Sequence, residues 1–231
     1  MKKYIALLFT GAVIFACQNN TNTNVSSSEE PDTSSKKQPP LIEESDQPGS
    51  VFVLKENSII SDYATYFLET KIYNSPDEMV AGGGDHYYET IDVKNGYASI
   101  SGSFEGTYTF AVWHLADGED IVGKTSAFCG PGCDYTYEFY HVKKDYVNIE
   151  TESIIPIKEI TQHQEKMFAK LKKKYPIEYE SSQLMFLLPQ KGTSIEVYLS
   201  ADANEYEFPI VRLDWTKEKF VIGKKYEEIP D

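Results

Sequence analysis

Thr107-Tyr-Thr-Phe-Ala-Val-Trp113 and Asp134-Tyr-Thr-Tyr-Glu-Phe-Tyr140 decide the fold class of this chain. Both alternate residue by residue, so Tyr108, Phe110 and Val112 share one face of the first run. Tyr135, Tyr137 and Phe139 share one face of the second. Aromatic and β-branched residues of this kind suit a half-buried pleated surface. Asn95-Gly96 and Asp117-Gly118 sit between such runs, and both dipeptides suit hairpin turns with positive φ. Tyr97 to Val142 therefore reads as an antiparallel meander, with Cys129-Gly-Pro-Gly-Cys133 at its central turn.

Three readings of Cys129 and Cys133 are open. A disulfide across so short a turn contributes roughly 2 kcal/mol on the loop-entropy account, and Gly130, Pro131 and Gly132 supply the tight backbone it needs. Free thiols are the second reading, and redox or metal chemistry the third. The redox reading starts from a resemblance to the Cys-Gly-Pro-Cys motif of thioredoxins. Here an extra glycine makes the spacing C-x3-C, and no helical pattern follows Cys129. Two thiolates also fall short of the four ligands a structural zinc takes. The disulfide is the expectation.

The chain opens with Met1-Lys-Lys3 and an apolar run from Tyr4 to Ala16, the layout of a secretory signal. That run is too short to span a bilayer as a stable anchor. It ends in Ile14-Phe15-Ala16-Cys17, which resembles the lipobox of bacterial lipoproteins. The resemblance implies that Cys17 is lipidated and becomes the new N-terminus. Ile14, Ala16 and Cys17 match the pattern, and Phe15 is bulkier than the usual residue. Cysteine arithmetic agrees: of three cysteines, lipidating Cys17 leaves Cys129 and Cys133 as a pair. Gln18 rather than Asp follows, which by similarity to the enterobacterial sorting rule places the protein at the outer rather than the inner membrane.

Gln18 to Ser50 is rich in Asn, Thr, Ser, Pro and Glu and has almost no apolar residues. It reads as a disordered polar tether with an end-to-end distance of roughly 30 Å. The remaining span, Val51 to Asp231, reads as one globular domain. A net charge of −14 opposes nucleic acid and anionic lipid and tolerates cationic partners.

Ile59 to Tyr73 suits a short first helix, with Ser61 or Asp62 as its cap. Ala81-Gly-Gly-Gly-Asp-His-Tyr-Tyr88 lacks the Gly-Lys-Ser/Thr of a phosphate loop and reads as a mobile loop leading into a strand. Lys158 to Tyr175 is a long amphipathic helix with Ile160, Gln164, Met167, Phe168 and Leu171 at helical spacing, stopped by Pro176. Its terminal lysines read as a solvated, dipole-compatible end. Leu184 to Leu188, Ser194 to Leu199, Glu207 to Trp215 and Phe220 to Ile222 return to strands, Pro209 marking the start or an edge of its own. The fold class is α+β: two antiparallel meanders separated by one long amphipathic helix, with a short helix before them.

His86, His114, His141 and His163 show no ligand-like spacing, and each reads as a partly exposed structural residue. Glu119-Asp120 lacks the ordered spacing of a calcium loop and reads as a charged turn. No Gly-x-Ser-x-Gly elbow occurs. No catalytic residue, metal or cofactor is assigned. Ser101-Gly102-Ser103-Phe104-Glu105-Gly106-Thr107-Tyr108 resembles the Ser-Gly motif of membrane-bound lysozyme inhibitors, acidic lipoproteins that grip a cationic enzyme; that resemblance implies contact through the motif's serine.

In layout the chain resembles the uncharacterised envelope lipoproteins of Gram-negative bacteria. The expectation is a lipid-anchored, non-catalytic binding or structural accessory with a protein or glycan partner and no nucleic acid. The alternatives are an envelope hydrolase using carboxylates or a metal, and an inhibitor of a cationic enzyme such as lysozyme.

Overall fold

The structure, a computed structural model, describes residues 54, 57–103, 106–143, 146–178, 181–201 and 205–230. The signal segment, Cys17 and the tether lie outside the described residues, as do Phe104 and Glu105. Among the described residues the fold is mixed α+β, mostly strand, in sheets of seven and four strands.

In chain order the elements of the first half are α1 (Ile60–Leu68), β1 (Ile72–Tyr73), α2 (Pro76–Ala81), β2 (His86–Asp92), β3 (Tyr97–Gly102), β4 (Gly106–His114), β5 (Asp120–Cys129), β6 (Cys133–Lys143) and β7 (Tyr146–Ile149). There follow α3 (Thr151–Ile154), α4 (Ile157–Lys174), β8 (Ser182–Leu187), β9 (Ile195–Ala201), β10 (Tyr206–Trp215) and β11 (Phe220–Lys225). Both sheets keep the strands in sequence order, and every neighbouring pair is antiparallel except β1 with β2, which is parallel.

Two antiparallel meanders around one long helix thus describe the fold only in part. The first sheet begins with the parallel pair, and two short helices, α2 and α3, went unread in the sequence. The first helix is also shorter than Ile59 to Tyr73. It stops where Glu69 turns left-handed at φ 50°, and Ile72 and Tyr73 go to the sheet edge. Its N-cap is Ile59, and both Ser61 and Asp62 lie inside the helix; Asp62, at the third helical position, reaches back to accept from the Ile59 N–H at 2.9 Å. The stretch before the glycines forms α2, with Ser75 accepting from the Glu78 N–H and Pro76 in the first turn; α2 ends at Ala81, and Gly82 to Asp85 form the loop that leads into β2.

The strongest departure concerns the first sheet, which is buried on both faces rather than one. Phe110, Val122, Ala98 and Ile100 pack on one side with Ile60, Tyr63 and Ala64 of α1. On the other side Ala111, Trp113, Ile121 and Phe139 join one cluster with the second sheet and with Ile160, Met167 and Leu171 of α4. Gly123 permits that packing: a Cβ there would sit 2.9 Å from the Phe139 ring and 3.0 Å from the Trp113 ring. Phe139 in turn meets Trp113, Phe186 and Phe220. Pro209 falls inside β10, opposite Tyr198 of β9, at a register shift and before the residues of β10 that pair with β11.

β7 covers only Tyr140 to Lys143 of β6, so the remaining β6 edge needs other partners. Gln183 of β8 acts as a substitute strand: it accepts from the Tyr135 N–H at 3.0 Å and donates to the Cys133 carbonyl at 3.2 Å. Thr151 accepts from the Phe139 N–H at 3.0 Å. The second sheet is tied to the first through these bonds as well as through the core.

α4 occupies the span its periodicity marks, with Ile160, His163, Met167 and Leu171 buried. Its lysines do more than solvate a helix end. Lys166 and Lys170 reach Glu227 at 3.0 and 3.1 Å, and Lys174 donates to the Ile229 and Pro230 carbonyls. Bonds from Lys166 and Lys170 hold the Glu227 carboxyl at about 2, well below the ordinary range. His163 is buried, not partly exposed, and its Nε2 lies 3.0 Å from the Tyr226 carbonyl. Among the described residues no helix is long and apolar enough to cross a membrane.

Candidate functional site: a polar cleft at one end of the first sheet

The turn Asp117-Gly118 does what its dipeptide predicts. Gly118 takes φ 84°, and the hairpin places His114 directly opposite Asp120. Their side chains meet, His114 Nδ1 lying 2.6 Å from Asp120 Oδ1. The other Asp120 oxygen accepts a hydrogen bond from the hydroxyl of Tyr63, which α1 delivers from the opposite layer. Burial, and then that bond to Asp120, push the Tyr63 phenol far above its usual range, so it is a neutral donor at any physiological pH.

A second group adjoins it. His141 Nε2 and Glu119 Oε2 are buried and 2.6 Å apart, in an ion-pair contact rather than an aligned hydrogen bond. His141 Nδ1 lies 3.6 Å from Glu150, at the start of α3, and Lys143 Nζ lies 3.1 Å from Glu119. A cleft of about 720 Å³ is lined by Tyr63, His114, Asp117, Glu119, Asp120 and Lys143 among others, and His141 contacts its Glu119 without lining it. The His114 side chain is 76% exposed and Asp120 only 15%, so the cleft presents an imidazole at its mouth and carboxylates in its wall.

Sequence reading put His114 and His141 near strand ends as structural residues and Glu119-Asp120 in a charged turn. The structure brings His114, Glu119 and Asp120 to one cleft, sets His141 against Glu119, and adds Tyr63 and Lys143. Among the described residues no group of three or more metal-ligating side chains has a geometry that could hold a metal ion. His86 is elsewhere, beside Tyr108, with burial lowering its imidazole below the ordinary range.

Cys129 and Cys133 are bonded, as expected, across a cross-strand pair at the tip of the β5–β6 hairpin. Ser101 does not reach outward as the inhibitor resemblance implies. It is 9% exposed, and its hydroxyl donates to Glu89 at 2.6 Å. No protein-family model matches the chain, and neither a curated protein nor a solved structure does so.

Proposed function

We propose that this chain is a lipid-anchored protein of the cell envelope whose α+β domain acts by binding a partner at the polar cleft, not by turning a substrate over. The observation that carries the anchoring is the N-terminal sequence itself: a basic start, a short apolar run, Ile14-Phe15-Ala16-Cys17, then a polar tether from Gln18 to Ser50. On this reading Cys17 carries the lipid, the outer membrane is the site, and roughly 30 Å of tether lets the domain orient freely.

Support for binding comes from how the cleft's groups are used. Tyr63 and His114 hold Asp120, and Lys143 and His141 hold Glu119. Carboxylates fixed in this way form a preorganised surface for a partner that brings positive charge or hydrogen-bond donors. One observation favours a hydrolase as the second reading: two carboxylates, Glu119 and Asp120, and the imidazole of His114 line a single cleft. Loss of turnover in Asp120→Asn, with partner capture intact, would establish it. The inhibitor reading rests on the Ser101 segment alone, and the inward bond to Glu89 gives it no support.

Anchoring is tested by Cys17→Ser. The variant moves from the membrane to the soluble fraction, because the remaining tether is polar. Unchanged partitioning would mean that something other than a lipid at Cys17 holds the protein.

A further inference from the structure

The strands that end at the polar cleft border a second, partly open cavity at their other end, of about 170 Å³. Thr107 and Thr109 of β4 and Thr125 of β5 supply one wall, and Met185 and Leu187 of β8 supply the opposite one. Tyr97 and Tyr135 complete the lining with other neutral residues. A quarter of the chain is charged, and not one residue lining this cavity is. Its surface is mostly hydrocarbon, from threonine methyls, Ala127, leucines and ring faces, with hydroxyls set among them. Burial raises the Tyr97 phenol above its usual range, and burial together with the hydrogen bond its hydroxyl donates to Glu207 pushes Tyr135 up to about 12, so both keep their protons.

Size and chemistry narrow the occupant. A cavity of about 150 Å³ lined by hydrocarbon accepts benzene, so this one takes a single ring or a chain of similar bulk. An ionised group entering it would lose hydration and find no counter-charge. A sugar, polar on every carbon, would set most of its hydroxyls against methyl groups. A molecule that is apolar over most of its surface and carries one hydroxyl satisfies both the walls and the threonines.

We propose that this cavity is a binding site for a small, neutral, largely apolar molecule of single-ring size bearing one hydroxyl, a phenol-like ligand, separate from the polar cleft. The test is a titration of the full chain with phenol, benzene and benzoate, followed by two-dimensional NMR. Phenol shifts the amides of Thr107 to Thr109 and Thr125 to Ala127 saturably, and benzoate binds at least tenfold more weakly. Ala127→Leu, which fills the cavity, abolishes the phenol shifts. Thr125→Val, which keeps the shape and deletes a hydroxyl, weakens phenol severalfold and leaves benzene unchanged, so the test stands even if the leucine variant does not fold. Shifts scattered over the surface, equal binding of benzoate and phenol, or phenol preference unaltered in Thr125→Val would overturn the assignment. Because the two sites share no lining residue, failure here leaves the proposed function standing, and the reverse also holds.

Discussion

β4, β5 and β6 run through both regions described above, and their two ends are chemical opposites. At the Asp117-Gly118 end, Asp120 and Glu119 are surrounded by His114, His141, Lys143 and Tyr63. At the Cys129–Cys133 end the same strands offer Thr107, Thr109, Thr125 and Tyr135, all neutral. Between them lies the aromatic centre of Trp113, Phe139, Phe186 and Phe220. The difference teaches that one sheet can carry two unlike surfaces when its middle is dry and rigid. Charge gathers where a turn leaves carboxylates beside solvent, and hydroxyls gather where a second sheet covers them.

The largest effect should come from removing the shared middle. Phe139 is fully buried, and Phe139→Ala should cost about 3–5 kcal/mol. Chemical denaturation measures it, and amide exchange should quicken at both ends together. Loss confined to one end would mean that the ends do not share a core.

Alkaline titration acts on both ends through their tyrosines. Burial and bonds to carboxylates raise Tyr63 at the charged end, Tyr135 to about 12 at the neutral end, and Tyr140 between α1 and the sheet. Folded values above the unfolded value near 10 mean that the unfolded chain releases these protons first. The stability they hold is complete below pH about 10 and is lost as pH rises through the folded values. Denaturation midpoints should therefore be flat near neutrality and fall steeply above pH about 10. Ionisation of all tyrosines near pH 10 with the fold intact would contradict this burial.

Polar deletions should separate the ends. Asp120→Ala strands the buried Tyr63 hydroxyl and should cost about 1–3 kcal/mol. Thr125→Val, at the neutral end, removes one neutral hydroxyl and should cost about 1 kcal/mol or less. Equal costs would erase the contrast. A smaller and local effect is expected from reducing Cys129–Cys133: about 2 kcal/mol or less and a fall of a few degrees in Tm. Amide exchange should rise at Tyr135 and Phe139 and stay unchanged at Asp120 to Val122; a uniform rise would mean that the bond braces the whole sheet.

The sequence showed some of this plainly and hid the rest for physical reasons. Alternation in Thr107 to Trp113 and Asp134 to Tyr140 marks the strands, and α4 declares itself through its apolar stripe. The cysteine pair was legible because its turn is short. The His114–Asp120 contact was also within reach, since an Asp-Gly hairpin fixes which residues stand opposite. Tyr63 meets Asp120 from 57 residues away in sequence, and such a contact comes from layer packing alone. The threonines gave no sign of the cavity, because an alternating Thr suits a solvent face as well as a covered one. Here that face lies under the second sheet, where a threonine's shape fits as a valine's would. α2 and α3 are too short for periodicity to register.

The most direct test of the central claim is cross-linked capture from intact envelopes, with the full chain, Asp117→Lys and Glu218→Lys as baits. Asp117 is an exposed residue at the cleft, and Glu218 an exposed one in the β10–β11 turn. The account predicts one partner recovered equally by the parent and Glu218→Lys and lost with Asp117→Lys. The same partner captured equally by all three baits would contradict it.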